Sequence, residues 1–165
     1  MPINKNIFIR DILQELEGEN VAVFAGAGLS KPAGFVDWKN LLREVAEELD
    51  LDIEKESDLV TLAQYHVNSK RNNRAKINQV IIDEFSKDIS ITENHRILAR
   101  LPISTYWTTN YDNLIEKSLS EIRKVVDIKH EPIQLLTSLR KRDVVIYKMH
   151  GDYLHPTKAI IIKDD

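Results

Sequence analysis

The stretch Val21-Ala22-Val23-Phe24-Ala25-Gly26-Ala27-Gly28-Leu29-Ser30 decides the fold class of this chain. Residues 21–25 form a short, continuous apolar run, which is typical of a parallel strand that is covered on both faces. The glycines that follow allow a tight turn directly after the strand. The stretch therefore predicts an α/β sheet in which ligands bind beyond the carboxyl ends of the strands.

The rest of the chain continues this alternation of helices and strands. Apolar residues at helical spacing predict a helix over residues 7–17 and another that carries Leu114, Ile115 and Leu119. A long helical region spans residues 38–101, and its last helix, residues 93–100, begins after Thr92 and ends before Pro102. β-Branched, aromatic and apolar runs predict further strands at residues 103–108, 125–128, 144–149 and 159–162.

This order of elements predicts a Rossmann-like, doubly wound, mostly parallel sheet into which residues 38–101 are inserted as a helical lobe. A length of 165 residues fits one domain. Because the strand expected at residues 159–162 is followed only by Lys163-Asp164-Asp165, no closing helix covers that side of the sheet. We therefore expect residues 1–165 to be the N-terminal part of a domain that is truncated at its C-terminus.

Composition excludes several classes of function. With 23 basic and 26 acidic side chains and a net charge of −3, nothing in the charge favours a nucleic acid or an acidic membrane as partner. The chain has no cysteine, which excludes disulfides, thiolate zinc sites and cysteine nucleophiles. No run approaches the roughly 18 apolar residues of a membrane span, and residues 1–16 lack the apolar core of a signal peptide, so we expect a cytoplasmic protein.

Three polar clusters follow predicted strands. In the first, Gly26, Ala27, Gly28 and Ser30 would let backbone N–H groups approach a phosphate. The second contains Asn110 and Asp112, and the third contains His150, whose ordinary pKa of about 6.5 suits proton transfer. Each has a structural alternative: a plain tight turn for the glycines, an Asx turn with a helix cap for Asn110 and Asp112, and a purely structural histidine.

Taken together, four segments resemble the motif series of the sirtuin (Sir2) family, in the same order and over residues 18–155. They are Gly26-Ala27-Gly28-Leu29-Ser30, Gly34-Phe35-Val36-Asp37-Trp38, Thr109-Asn110-Tyr111-Asp112 and His150-Gly151. The stretches FAGAGLS, YWTTNYDNLIEK and YKMHGD resemble in particular the Sir2-like NADase subunits of bacterial Thoeris anti-phage defence.

The resemblance implies a role in NAD binding for each matched residue. Gly26, Ala27, Gly28 and Ser30 match the loop that holds the NAD phosphates, with Ser30 near the ribose or a phosphate. Asp37 matches the loop carboxylate of the family, and Phe35 and Trp38 match the apolar shield around the nicotinamide end. Asn110 and Asp112 match the pair that orients the nicotinamide ribose, the carboxamide or the attacking water, and Thr109 belongs to the same motif. His150 matches the catalytic histidine, which takes up a proton from the ribose hydroxyl or from water.

The resemblance implies an NAD+ glycohydrolase that yields nicotinamide and ADP-ribose, with NAD+ as substrate and no metal, and an abortive-infection effector role. It also implies a homo-oligomer, with a tetramer as the expected state, and control by a cyclic ADP-ribose-type signal through a C-terminal domain that these residues do not include. Two departures disfavour deacylation: the four-cysteine zinc module of the deacylases is missing, and Lys39 replaces an arginine. A protein deacylase or ADP-ribosyltransferase, and a noncatalytic NAD- or ADP-ribose-sensing module, remain as alternatives.

Overall fold

The sheet of the computed structural model contains four parallel strands. They are β1 (Ala22–Ala25), β2 (Thr105–Thr108), β3 (Val126–Lys129) and β4 (Val144–Lys148). Their order across the sheet is β1-β2-β4-β3, so β2 pairs with β1 on one side and with β4 on the other. The structure describes residues 4–165, and Met1, Pro2 and Ile3 lie outside the described residues. The predicted α/β class with a parallel sheet is confirmed.

Eight α-helices are assigned within the described residues. They are α1 (Lys5–Glu17), α2 (Ala27–Ser30), α3 (Trp38–Leu41), α4 (Arg43–Glu47), α5 (Leu59–Ser69), α6 (Ala75–Phe85), α7 (Glu93–Arg100) and α8 (Leu114–Glu121). Helices α3–α7 fill the region predicted to be helical, and α7 begins in a capping box formed by Thr92 and His95. None of the helices between residues 4 and 165 combines the length and the apolar character needed to cross a membrane.

Two separate apolar cores hold these elements. The first lies on one face of the sheet, where Tyr106 of β2 and Ile146 of β4 pack with Ala99 of α7 and Leu119 of α8. The second lies within the helical lobe and is built from the buried faces of α3–α6, with Phe35, Tyr111 and Leu114 at its border with the sheet. The strand ends and the lobe therefore meet around Tyr111.

The strand predicted over residues 159–162 is wrong. The segment follows a short 3-10 helix, Pro156–Lys158, and it pairs with no strand of the sheet. The N–H of Ile160 donates to the carbonyl of His150 over 2.8 Å, while the N–H groups of Ile161 and Ile162 donate to the Asp165 carboxylate. Ala159, Ile161 and Ile162 are buried in the lobe core, and an apolar run of this length does not by itself distinguish a strand from another buried segment.

This segment constrains Gly151, which has a φ of +85°. A Cβ atom at Gly151 would lie 3.0 Å from Cα of Ala159 and 3.1 Å from the carbonyl oxygen of Lys158. We expect Gly151→Ala to lower the free energy of unfolding by about 1–3 kcal/mol, because it adds backbone strain and a steric conflict. Urea denaturation measures the change.

Gly28→Ala is the matched control, since Gly28 is helical and a Cβ there would have no described atom within 4 Å. We expect it to leave the stability unchanged or to raise it by up to about 1 kcal/mol. Equal losses of stability in the two variants would contradict this account of Gly151.

Candidate active site

Asn110 follows β2 and ties the ends of two neighbouring strands together. Its Nδ2 donates to the carbonyl oxygen of Gly26 over 3.1 Å and to Oγ of Ser30 over 2.9 Å, and its N–H donates to Oγ1 of Thr108. A carbonyl oxygen can only accept, so the NH2 group of the Asn110 amide must point to the glycine turn. The Oδ1 atom is thereby left to accept a hydrogen bond from a ligand or to face a positive charge.

The glycine turn itself is short. Gly26 precedes α2 in an extended conformation, and the N–H of Leu29 donates to its carbonyl. A Cβ at Gly26 would lie 3.8 Å from Oγ1 of Thr109, and one at Gly28 would meet open space. The turn is therefore fixed through Asn110 and the buried Ser30, while its glycines leave room beside the backbone.

Asp112 uses only one of its two carboxylate oxygens within the described structure. Oδ1 accepts the N–H of Leu114 over 3.0 Å, which is the Asx turn that the spacing also allowed. Oδ2 is buried and has no hydrogen-bond partner among residues 4–165. Because a buried polar atom without a partner is costly, Oδ2 is available to bind a ligand group.

His150 follows β4 and lies against two aromatic rings. Its imidazole meets the indole of Trp38 edge-on at a centroid distance of 5.9 Å, and it lies 6.5 Å from the ring of Tyr111. Its Nδ1 is buried and without a partner in the part of the chain that the structure describes. Burial holds the pKa of His150 below its ordinary value, so the ring is neutral near pH 7 and can accept a proton.

A narrow cleft brings most of the predicted residues together. Seven of them line it: Ala27, Ser30, Phe35, Trp38, Thr109, Asn110 and Asp112. His150 contacts two aromatic rings of the cleft wall, those of Trp38 and Tyr111, and Gly26 accepts the bond from Asn110. Phe35 is almost fully buried, and its ring packs on that of Phe85 at a centroid distance of 5.2 Å. It therefore forms a fixed part of the cleft wall.

Asp37 and Gly28 do not line the cleft. The Asp37 carboxylate caps α3 by accepting the N–H of Asn40 over 3.1 Å, and it forms an ion pair with Lys31 at 2.9 Å. These bonds, that of Lys31 foremost, hold the pKa of Asp37 below its ordinary value. The carboxylate is thus engaged in local structure.

Sequence reasoning missed Tyr111, although it lies inside a motif that the reasoning singled out. Its ring lies between those of Trp38 and Phe85, at centroid distances of 6.3 and 5.5 Å. Its hydroxyl donates to the carbonyl of Ile160 over 2.6 Å. Burial raises the pKa of this hydroxyl, which keeps it protonated. The sequence did carry a signal for this role, because Tyr111 is an aromatic residue between the two polar candidates Asn110 and Asp112, and a site of this kind needs an apolar wall.

Comparison with known proteins bears on what this cleft does. Residues 104–165, which include the end of β2, Asn110, Asp112 and His150, match the SIR2-like domain family. Residues 104–165 are SIR2-like. The resemblance inferred from the motifs is thereby confirmed.

Several curated relatives share this SIR2-like sequence and carry the name NAD(+) hydrolase ThsA. The protein of Bacillus cereus (strain MSX-D12) is 57% identical over 159 residues, which are 96% of this chain and 33% of that protein. That of Cytobacillus dafuensis is 51% identical over 165 residues, covering 100% and 33%, and that of Acinetobacter baumannii (strain 532279) is 53% identical over 160 residues, covering 97% and 33%. The chain spans about a third of the length of these relatives.

The aromatic wall predicts how His150 titrates. We expect NMR titration of the imidazole to give a pKa below about 6.5, and we expect Trp38→Ala to raise it because water then reaches the ring. His95 is the internal control, since burial also lowers its pKa but it lies in the capping box of α7. A His150 pKa that does not respond to loss of the indole would contradict this assignment.

Proposed function

We propose that this chain supplies the catalytic site of an NAD+ glycohydrolase, which splits NAD+ into nicotinamide and ADP-ribose. The observation that carries the proposal is the bond pair from Asn110 to Gly26 and Ser30, which joins the polar end of β2 to the glycine turn after β1. In this proposal, the phosphates and the reacting centre of one substrate would lie side by side at these strand ends. The names of the 47–57% identical relatives support the same reaction.

The pyrophosphate would lie at the glycine turn. The space beside Gly26 and Gly28 allows close approach to the backbone, and Ser30 and Thr109 offer hydroxyls toward a phosphate or ribose. The nicotinamide end would then lie between Trp38 and Asn110. Because the Asp37 carboxylate is held by Lys31 and Asn40, contact with the substrate would require it to exchange those partners.

Departure of nicotinamide builds positive charge on the anomeric carbon of the ribose. The Oδ1 atom of Asn110 and the free Oδ2 of Asp112 are the groups that would face this charge and orient the ribose or the attacking water. Both groups are fixed before substrate binds, one by the glycine turn and the other by the N–H of Leu114. Fixed dipoles lower the barrier without the cost of reorganisation.

His150 would act as the base. As the oxygen of water bonds to the anomeric carbon, one water proton passes to the imidazole, and nicotinamide leaves with the electron pair of the broken carbon–nitrogen bond. Burial keeps His150 neutral and ready to accept that proton. Trp38 and Tyr111 cover the imidazole and limit the entry of further water.

The wider role of the protein is proposed on the resemblance to Thoeris subunits and on the names of the relatives. We propose a cytoplasmic anti-phage effector that depletes NAD+, assembles as a homo-oligomer of four subunits, and responds to a cyclic ADP-ribose-type signal. In that scheme a C-terminal domain senses the signal and the present residues perform the hydrolysis. Size-exclusion chromatography with light scattering tests the subunit number.

Single substitutions test the reaction. We expect Asn110→Ala and His150→Ala each to reduce nicotinamide release from NAD+ by about 10²–10⁴-fold, since each removes a positioning group or a base. Chromatographic detection of nicotinamide, with circular dichroism to verify folding, measures the effect. His155→Ala is the matched control, because this histidine is exposed and does not line the cleft.

Near-normal turnover by folded Asn110→Ala or His150→Ala would refute the assigned roles. Binding of NAD+ without release of nicotinamide by the unaltered protein would instead favour a sensing module. Release of nicotinamide only in the presence of an acylated peptide would favour a deacylase.

The pH dependence follows from the buried imidazole. A base with a lowered pKa stays unprotonated as the pH falls, so we expect kcat/KM to be retained below about pH 6.5 and to be lost only under more acidic conditions. A pH-rate profile with NAD+ measures this. A loss of kcat/KM on the acidic side with a midpoint above pH 6.5 would show that a buried His150 with a lowered pKa is not the base.

A further inference from the structure

Lys148, the last residue of β4, lies at the centre of a buried charged network. Its side chain is fully shielded from solvent. Nζ donates to the backbone carbonyls of Asp112 and Tyr111 over 2.6 and 3.3 Å and to the Glu116 carboxylate over 3.0 Å. It also forms an ion pair with the Asp152 carboxylate at 2.6 Å. Sequence reasoning placed Lys148 in a strand and in the matching stretch YKMHGD but gave it no role of its own, although a lysine in an otherwise apolar run is unusual.

The four partners of Lys148 belong to different parts of the site. The two carbonyls lie in the turn that carries Asn110, and Asp152 comes two residues after His150. Glu116 lies on α8, which starts directly after the turn. A single ammonium group therefore joins the segment that bears the amide and carboxylate of the site to the segment that bears its histidine.

Lys148 is charged under ordinary conditions, because its pKa is raised. Burial alone would lower the pKa of Lys148, but the carboxylates of Glu116 and Asp152 outweigh that effect and hold it above its ordinary value. The pKa of Glu116 is raised, because the effect of burial exceeds the opposing effect of the Lys148 charge. The ammonium group keeps its protons as hydrogen-bond donors.

A buried network of this kind adds little net stability to a fold. Desolvation of buried charges offsets most of their mutual attraction, and well-packed neutral replacements are often equally stable. The neighbouring residues Val144, Val145 and Ile146 show that β4 is otherwise built from apolar side chains. What the ammonium group adds is direction, because its three donors fix two backbone carbonyls and the Glu116 carboxylate while its charge holds Asp152.

We propose that Lys148 is a positioning residue for NAD+ cleavage, which holds the Asn110–Asp112 turn in register with His150; this rests on the proposed function. Lys148 does not line the cleft and touches no reacting atom in this role. It acts through the carbonyls of Tyr111 and Asp112 on one side and through Asp152 on the other. Catalytic geometry that shifts by about 1 Å can cost 10²-fold in rate.

A neutral version of the network separates positioning from folding. Lys148→Met alone would leave two buried carboxylates without their positively charged partner. The decisive variant therefore combines Lys148→Met with Glu116→Gln and Asp152→Asn. The asparagine can still accept the N–H of Leu154, which Asp152 accepts over 2.8 Å. We expect this triple variant to fold, to lose about 10²-fold in kcat for nicotinamide release, and to keep KM for NAD+ within about threefold.

Lys129→Met is the matched control. Lys129 is also a strand-end lysine that is almost fully buried, and it pairs with Asp127 at 2.9 Å and donates to the carbonyl of Thr137. It belongs to β3, which pairs with β4 and not with β2 in the described sheet. We expect its loss to reduce stability and to leave kcat unchanged.

A second readout does not depend on turnover. In NMR spectra of the triple variant, we expect shifts of the Asn110 side-chain amide and the His150 imidazole, and in Lys129→Met we expect neither. If the unaltered protein released no nicotinamide, the proposed function would fail while these spectra still tested Lys148.

Three kinetic or spectroscopic results would overturn the proposal. They are a folded triple variant with kcat within about twofold of the unaltered protein, unchanged Asn110 and His150 resonances, and an equal loss of kcat in Lys129→Met. Failure of the triple variant to fold would also overturn it, because the network would then serve folding and not positioning.

Discussion

Parallel pairing of β2 with β1 on one side and β4 on the other is the constraint on which the candidate site depends. Parallel strands end at the same edge of a sheet, so the glycine turn, the Asn110–Asp112 turn and His150 are brought to one place by backbone pairing alone. Side chains then refine that placement. Asn110 reaches to one neighbouring strand end through Gly26, and Lys148 reaches from the other through the carbonyl of Asp112.

Much of this arrangement could be predicted from sequence because its signals are local. Apolar, β-branched and aromatic runs marked all four strands, and the polar residues directly after three of them marked the site. The Asx-turn alternative for Asp112 and the ligand-binding interpretation proved compatible, because one oxygen makes the turn and the other has no partner among the described residues. Spacing alone could not distinguish these uses, since each oxygen of a carboxylate can bond separately.

The features that sequence reasoning missed depend on contacts between distant residues. An apolar run at residues 159–162 resembles a strand. Its backbone N–H groups instead donate to His150 and Asp165, and its buried side chains pack in the core of the helical lobe. Asp37 matched a motif carboxylate, yet Lys31 lies close enough to engage it. Lys148 lies in the matching stretch YKMHGD, but no role could be given to it from the sequence, because its four partners come together only when β2, α8 and β4 are folded.

The bonds from Asn110 to Gly26 and Ser30 span 84 and 80 residues of chain. Contacts this far apart in sequence close large loops, which makes them entropically expensive and slow to form. During synthesis the glycine turn leaves the ribosome first and His150 leaves last of the three site segments. A nascent chain therefore carries an incomplete cleft until β4 has joined the sheet, and the entire helical lobe has emerged by then. The order of the segments along the chain thus makes the assembled cleft a late product of folding.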